Sequence, residues 1–285
     1  MKIKKTIIVL LLCFLPIASF AQKVGEALPA WEEGYMDIHH INTGCGECAY
    51  LILPDGTTML IDAGENKAGN PRHVPPKPNA GRTPGEWIVD YIKAMAPAQN
   101  QKLDYALITH FHSDHMGGVL KMKNESGRYY NTGIITVAEN LQISTLVDRG
   151  FPDYKFLVDT EDKMIKNYFN FLHFTKRRIN AEQFRPGVEN QFKLLHDSIR
   201  YAGNFKVQNI YANGWLWTGK GHETKYLFPD FSTLEKYDIP QENTLSCALK
   251  ITYGHFSYYT GGDVTGYPKP GRSLFHDVET PMAPV

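Results

Sequence analysis

The stretch Thr109-His110-Phe111-His112-Ser113-Asp114-His115-Met116-Gly117-Gly118 decides the fold and the chemistry that this sequence predicts. It brings three imidazoles and one carboxylate into six residues and ends on two glycines. The run Leu103–Ile108 before it is short and mostly apolar, which predicts a buried strand. The polar cluster therefore stands at a strand end, where side chains are free to form a site.

The spacing of the four polar side chains is typical of a metal site. Residues two apart in an extended segment point to the same side, so His110 and His112 can share one metal ion. Asp114 and His115 follow the turn and can face a second ion. Neutral imidazole and carboxylate ligands favour zinc, with manganese or iron as alternatives. Crowding these groups together without a metal would cost stability, which disfavours a purely structural role.

Two further acidic residues stand at predicted strand ends. Strands are predicted over 35–41, 49–53 and 58–64, and the sequence Pro54-Asp55-Gly56-Thr57 predicts a hairpin turn between the second and the third. The third strand ends on Asp62-Ala63-Gly64. A later hairpin, from residue 242 to 260, ends on Gly261-Gly262-Asp263.

These motifs together resemble the metallo-β-lactamase superfamily. The resemblance implies an α/β fold, an αββα sandwich of two facing mixed β-sheets with outer helices. It also implies that His110 and His112 hold one metal, that Asp114 and His115 hold another, and that Asp263 bridges the two. Asp62 would support a ligand or a metal-bound water, so Asp62 and Asp114 are the expected catalytic residues. A turn-capping role is the alternative for Asp62.

The remaining ligands are less well defined by the sequence. The superfamily usually has a ligand at the strand end that Asp148 occupies here, so Asp148 is a candidate metal ligand. A salt bridge with Arg149 or another arginine is the alternative role for Asp148, and His196 or His222 could take its place as ligand. The last superfamily ligand is a histidine on a later strand, and His276 fits that position poorly. We therefore expect that the sequence stops before a closing β-α unit, and an incomplete second metal site is the alternative.

Some motifs resemble one branch of the superfamily, the hydrolase domain of the competence protein ComEC. They are Asn243-Thr244-Leu245-Ser246 before a hairpin ending in Gly-Asp, and the opening hairpin around Pro54-Asp55-Gly56. The resemblance spans about residues 37–263. Helical spacing over 160–200 predicts two helices, which we interpret as an insertion bordering the substrate cleft.

The first 21 residues have the composition of a secretory signal peptide. Lys2, Lys4 and Lys5 precede an apolar run, and Ala21 provides a small residue for cleavage. The run is short for a membrane span, so we expect one domain over 22–285 with no stable span after cleavage. The whole chain has a formal charge of zero, and losing three lysines leaves −3. A mildly acidic protein makes nucleic acid an unlikely partner and favours a small-molecule substrate.

The cysteines and the loop over 65–85 carry weaker signals. Cys45 and Cys48 have the spacing of a redox pair or half a zinc ribbon, so a disulfide, two plain thiols, or redox or metal chemistry are alternatives. Cys247 is predicted to be a buried thiol. His73 lies in the loop and is left without a role.

These observations predict an exported, zinc-dependent hydrolase that is periplasmic or secreted. It would bind one or two zinc ions. Activation of a water by the metal suits attack on a phosphodiester or another small phosphorylated substrate. An ester, lactone or β-lactam hydrolase is the alternative, as is a non-catalytic secreted metal-binding protein. The sequence indicates no particular oligomeric state.

Overall fold

The computed structural model describes residues 25–65, 74, 77–266 and 270–285. The predicted signal peptide and His73 lie outside the described residues. Residues 25–30 belong to a separate small unit and contain no helix or strand. The fold described below is that of the unit Trp31–Val285.

A mixed sheet of six strands forms one layer, in the spatial order β1-β2-β3-β4-β7-β8. The first three strands pair antiparallel and the last four pair parallel. The predicted hairpin at Pro54–Thr57 joins the second and third strands and is confirmed. The strands are β1 (Asp37–His40), β2 (Ala49–Ile52), β3 (Thr58–Ile61), β4 (Leu103–Leu107), β7 (Ile143–Asp148) and β8 (Asn180–Gln183).

A second sheet of five strands has the order β11-β10-β9-β12-β13. All four of its pairings are antiparallel, so of the two predicted mixed sheets only the first is mixed. Its strands are β9 (Phe205–Ala212), β10 (Trp215–Trp217), β11 (Thr224–Tyr226), β12 (Ala248–Tyr253) and β13 (Phe256–Thr260). A separate short hairpin pairs β5 (Met122–Lys123) with β6 (Tyr130–Asn131).

Helices connect the strands. The longest are α1 (Pro84–Met95), α3 (Gly133–Asn140) and α4 (Lys163–Thr175), and the single-turn helices are α2 (Ser113–Met116), α5 (Ser198–Tyr201) and α6 (Glu279–Met282). α1 begins at Pro84 because Thr83 caps it: the Thr83 hydroxyl accepts the Glu86 N–H, and the Glu86 carboxylate accepts the Thr83 N–H at 2.7 Å. No helix in the described ranges is long and apolar enough to cross a membrane.

The sandwich core is built by alternate residues of the two sheets. Leu51, Met59 and Leu107 from the first sheet pack in one buried cluster with Val207 and Leu249 from the second. The intervening residues of the first sheet face the other way, because successive side chains of a strand point to opposite faces. They pack under the three long helices: Tyr50, Leu60, Ala106, Ile92, Val137 and Phe171 share this second cluster. The predicted α/β sandwich is therefore confirmed.

The predicted pair of helices over 160–200 is only half correct. α4 forms as expected, but β8 follows it and joins the first sheet at an edge. Phe192 is buried between the sheets, whereas Ile199 is 90% exposed. The apparent helical spacing of these residues therefore arose from a loop that contains Phe192 and from the single-turn α5 that contains Ile199.

Asp55 in the β2–β3 turn fastens this segment to the first sheet. Its carboxylate accepts the Thr57 N–H at 3.0 Å, the His196 N–H at 2.8 Å and the Asp197 N–H at 2.9 Å. Burial raises the pKa of Asp55, but the hydrogen bonds from Asp197, Thr57 and His196 outweigh burial and lower it below its ordinary value.

We expect Asp55→Asn to lower the free energy of unfolding by about 1–2 kcal/mol at pH 7, because the amide replaces a charged acceptor of three hydrogen bonds. A lowered folded-state pKa stabilises the fold above the unfolded-state pKa and loses that contribution as the pH falls through the folded-state value. The difference from wild type should therefore shrink below about pH 4. Urea unfolding at several pH values measures this difference in the free energy of unfolding. Glu235→Gln, at an exposed position, is the control. A pH-independent difference would contradict this account.

Candidate metal centre

The ends of strands from both sheets meet beside Thr109. β3 ends just before Asp62, β4 leads into Thr109 and His110, and β13 leads to Asp263. The Cys247 N–H, from the second sheet, donates to the Thr109 carbonyl at 2.9 Å. Gly262 has φ +53°, and a Cβ there would lie 2.6 Å from the Thr109 hydroxyl oxygen, so only glycine fits. The segments at the ends of the two sheets are therefore in direct contact at the predicted site.

Asp62 is a buried carboxylate that fixes Thr109 and His115. Its Oδ1 accepts the Thr109 N–H at 2.7 Å, and its Oδ2 accepts the Thr109 hydroxyl at 2.6 Å. Asp62 Oδ2 also lies 2.7 Å from His115 Nδ1, which orients the imidazole so that Nε2 points away from Asp62. Asp62 has a positive φ of 59°, a strained backbone that such a contact network can maintain. Asp62 thus contacts one of the predicted ligand histidines, and its predicted support of a metal site stays a prediction.

His110, His115 and Asp263 form a group whose donor atoms all lie within 4.8 Å of one another. His115 Nε2 lies 3.3 Å from Asp263 Oδ1, and the rings of His110 and His115 are 4.0 Å apart between centroids. His110 is fully buried and His115 is 3% exposed. Two imidazole nitrogens and a carboxylate oxygen converging in this way are ligands that suit zinc.

The charges of this group are strongly coupled. Burial, and then the neighbouring His115 and His112, lower the pKa of His110 to about 2. Burial also lowers the pKa of His115, but the hydrogen bonds and charges of Asp263 and Asp62 outweigh it and raise that pKa to about 10. The hydrogen bond from His115 lowers the pKa of Asp263. Neutral His110 and anionic Asp263 match the protonation states that metal ligands need, whereas His115 has to lose a proton to bind a metal through Nε2.

The other residues of the histidine motif lie at the margin of this group. His112 is exposed, and its Nδ1 lies 3.1 Å from His110 Nε2. Asp114 is half-buried at the start of α2, and its backbone carbonyl accepts the Glu47 N–H at 2.9 Å. The structure therefore groups His110 with His115, whereas the sequence analysis divided them between two ions. Binding by His112 and Asp114 stays a prediction.

Asp148 is placed differently from a metal ligand. Its Oδ1 accepts the N–H groups of Gly150 and Phe151 at 2.7 and 2.8 Å, and its Oδ2 accepts the hydroxyls of Tyr154 and Tyr168, both at 2.8 Å. Burial raises the pKa of Asp148. Both carboxylate oxygens are therefore occupied by protein donors, which does not support Asp148 as a ligand. The alternative was a salt bridge with Arg149 or another arginine, but Arg149 pairs with Glu242 instead.

The remaining candidate histidines contact other parts of the protein. His196 Nε2 lies 3.3 Å from Asp104 Oδ2, and His222 Nδ1 lies 2.8 Å from the Gly187 carbonyl. His276 is buried, with Nε2 3.0 Å from Asp238 Oδ1. None of the three belongs to the donor group found among the described residues.

The cysteine motif lies next to the histidine motif but forms no disulfide. Cys45, Cys48 and Cys247 are all thiols, and the last two are buried. Burial raises the pKa of the Cys48 thiol well above its ordinary value, which opposes thiolate chemistry. Gly46 contacts the metal motif through the backbone, since a Cβ there would lie 2.2 Å from the Asp114 carbonyl oxygen.

Sequence reasoning gave no role to three residues that contact the site. Thr109 donates twice to Asp62, Glu242 accepts the Phe111 N–H at 2.7 Å, and Asn243 donates to Asp263 at 3.3 Å. Thr109 could have been found, because it directly precedes His110 in the motif. The contact of Glu242 with Phe111 spans 131 residues and left no local signal.

The donor set fits a zinc ion. Buried Asp62 holds His115 through Nδ1, which matches the carboxylate–histidine arrangement that orients metal-bound imidazoles. We expect His110→Ala and Asp263→Ala each to weaken zinc affinity at least ~10-fold, since each removes a proposed ligand. Elemental analysis after dialysis against limiting zinc measures this.

The control for these two variants is His222→Ala, which alters a histidine outside the donor group. It should keep the zinc content of the wild type. Unchanged zinc in both His110→Ala and Asp263→Ala would remove the assignment of this metal site.

Part of the sequence matches a known family. Residues 42–127 match the family described as the Metallo-beta-lactamase superfamily. Among solved structures, Zn²⁺-bound PqqB from Methylobacterium extorquens is 10% identical, with a TM-score of 0.33. The match covers 75% of this chain and 51% of the PqqB chain. This chain thus spans about half of the PqqB chain. Unliganded yeast PDE1 is 14% identical, with a TM-score of 0.39, and the match covers 84% of this chain and 68% of the PDE1 chain.

No curated protein matches the sequence. The two solved structures are likenesses only, and the similarity to the superfamily rests on the matched residues 42–127. The match contains Asp62 and the whole histidine motif, and the observed sandwich has the expected layers. The chain therefore has an α/β sandwich consistent with the metallo-β-lactamase fold, and its residues 42–127 are similar to the metallo-β-lactamase superfamily.

Proposed function

We propose that this protein is an exported zinc-dependent hydrolase that acts on a phosphodiester or another small phosphorylated substrate. The observation that carries the proposal is the convergence of His110, His115 and Asp263 within 4.8 Å, with Asp62 behind His115. A zinc ion bound there would supply Lewis acidity and make a water acidic enough to be a nucleophile near neutral pH.

The protein side chains prepare the site for that chemistry. His110 and His115 would present neutral nitrogens, and Asp263 an anionic oxygen. Asp62 holds His115 in one orientation by accepting a hydrogen bond from its Nδ1–H group, so that only Nε2 faces the site. Exposed His112 and half-exposed Asp263 mark the open side, where a substrate can enter.

A basic pocket supports a phosphorylated substrate. It has a volume of about 390 Å³ and lies between the β5–β6 hairpin and α4, with Lys123, Arg128, Lys163 and Lys166 in its wall. Lys123 lies over the Tyr130 ring at 5.6 Å. Within the described ranges, the only ion pair formed by these four cations joins Lys166 to Glu161. The pocket therefore carries a net positive charge in a chain that is neutral overall.

The pocket is close to the metal motif along the chain and in space. Leu120 lies in its wall and follows His115 by five residues, so their Cα atoms are at most ~18 Å apart. A Cβ on Gly118 would lie 2.6 Å from Ser113 Cβ and 3.0 Å from Met164 Sδ, which shows that the start of α4 packs against the motif. This placement supports a substrate with two anionic groups, one at the metal motif and one in the pocket.

The finer parts of the proposal rest on the sequence. The Asn243–Ser246 motif before a hairpin ending in Gly262-Asp263 resembles the ComEC branch, which supports phosphodiester chemistry. Export rests on the signal-like composition of the first 21 residues, and zinc rests on the ligand chemistry. Manganese or iron is the alternative ion.

The wild-type protein reconstituted with zinc should hydrolyse bis(p-nitrophenyl) phosphate, with rates at least ~10-fold above those on p-nitrophenyl acetate and a chromogenic β-lactam. Chelation should abolish the activity and added zinc or manganese should restore it, because the metal activates the water. Absorbance assays measure the rates, and His110→Ala controls for contaminating enzymes. Faster ester or lactam hydrolysis would replace the phosphodiester proposal, and no hydrolysis with zinc bound would favour a metal-binding protein.

The basic pocket predicts a preference for a second phosphate. For p-nitrophenyl thymidine 5′-phosphate carrying a 3′-phosphate, Lys163→Glu should raise KM about tenfold, the size expected for reversing one charge near an anion. For the ester without the 3′-phosphate, KM should change little. Lys220→Glu, on an exposed loop, is the matched control. Equal effects on the two esters would rule out the pocket as a phosphate subsite.

A further inference from the structure

We propose that Glu242 and Asn243 are positioning residues that tie together the two halves of the metal centre. One half is the histidine motif after β4 and the other is Asp263 after β13. The two residues are adjacent in a short 3-10 turn (Glu242–Leu245) before β12, and each contacts a different half. This inference rests on the proposed metal-dependent function of the same site.

Glu242 holds the histidine motif through its backbone. Its Oε1 accepts the N–H of Phe111 at 2.7 Å, and Phe111 is the residue between His110 and His112. A hydrogen bond at that point fixes the peptide that joins the two histidines. Because a carboxylate is a strong acceptor, the bond restricts how far the backbone that carries the two histidines can move.

Glu242 is itself fixed by a completely buried arginine. Arg149 Nε donates to Glu242 Oε1 at 2.7 Å, and Nη2 donates to Oε2. The remaining Arg149 N–H groups donate to the Phe156 and Leu157 carbonyls and to Asn213 Oδ1, each at 3.1 Å. The guanidinium also lies 4.8 Å from the centroid of the Phe111 ring. Arg149 therefore anchors both the carboxylate and the side chain of the residue that the carboxylate holds.

Asn243 holds the other half of the site. Its Nδ2 donates to Asp263 Oδ2 at 3.3 Å, while Asp263 Oδ1 faces His115. The backbone carbonyl of Asn243 is fixed by the Ser246 hydroxyl at 2.8 Å. Asn243 Oδ1 is buried and has no partner among the described residues, so it offers a hydrogen-bond acceptor at the site.

The shared turn couples these contacts. A displacement of the turn would move the acceptor of the Phe111 N–H and the donor to Asp263 together. Positioning groups that orient metal ligands typically change metal affinity 10–100-fold when they are removed. The structure therefore assigns to Glu242 and Asn243 the control of how His110 and Asp263 converge.

The first test compares Glu242→Gln with Glu242→Ala, by zinc titration against a competing chelator and by thermal unfolding of the metal-free protein. Glutamine keeps an oxygen for the Phe111 N–H but loses the charge that pairs with Arg149. We expect both variants to unfold at lower temperature, and only alanine to weaken zinc affinity about tenfold or more. Equal loss of zinc affinity in both would overturn the role of the Phe111 contact.

The second test uses Asn243→Ala, which removes one long hydrogen bond and leaves the buried ion pair intact. We expect an unchanged unfolding temperature without metal, zinc affinity about tenfold weaker and a lower kcat with little change in KM. Asn180→Ala, at an exposed sheet edge, should match the wild type throughout. Wild-type zinc affinity and kcat in Asn243→Ala would overturn the inference.

The readouts separate this inference from the proposed function. If the wild-type protein binds zinc but hydrolyses no substrate, the proposed function fails. The zinc affinities of the variants still test whether Glu242 and Asn243 position the ligands. If hydrolysis occurs and the affinities do not change, the positioning inference fails alone. Should Glu242→Ala not fold, the glutamine and Asn243 variants decide the outcome.

Discussion

The structure depends on one buried carboxylate, that of Asp62. It accepts two hydrogen bonds from Thr109 and contacts His115, so it joins the end of β3 to both ends of the histidine motif. Burial raises the pKa of Asp62, and the Thr109 and His115 contacts oppose that rise. An isolated charge at this position would cost several kcal/mol, and the three contacts offset this cost. The same contacts give the site its shape, because they determine where the His115 ring points.

Much of the fold could be predicted because its signals are local. The Pro54–Thr57 turn, the apolar run before Thr109 and the hairpin before Asp263 each show the pattern of their own element within a few residues. The resemblance to a known superfamily then supplied the arrangement of these elements into layers. The grouping of His110 with His115 was not predictable in this way, because it depends on the turn geometry at α2 and on the contact with Asp62.

Other features were missed because they depend on contacts between distant parts of the chain. Asp148 stands at a strand end, as a ligand would, but two tyrosines and two N–H groups surround it. The ion pair of Arg149 with Glu242 spans 93 residues, and neither residue is in a recognisable motif. The second helix predicted over 160–200 failed because only Phe192 of its apolar residues is buried between the sheets, whereas Leu195 and Ile199 are exposed. For Asp148, Arg149 and Glu242 the sequence gives the type of side chain but does not indicate which distant residue each one contacts.

The close approach at Gly262 has a consequence for how this protein can change over evolutionary time. The backbone of one layer touches the Thr109 side chain of the other there, with no space for even a methyl group. The same junction bears the residues proposed for chemistry. Substitutions at this point would therefore disturb the assembly of the sandwich before they altered the chemistry. Variants with altered reactivity would arise more readily on the open side of the site, near His112, than at this junction.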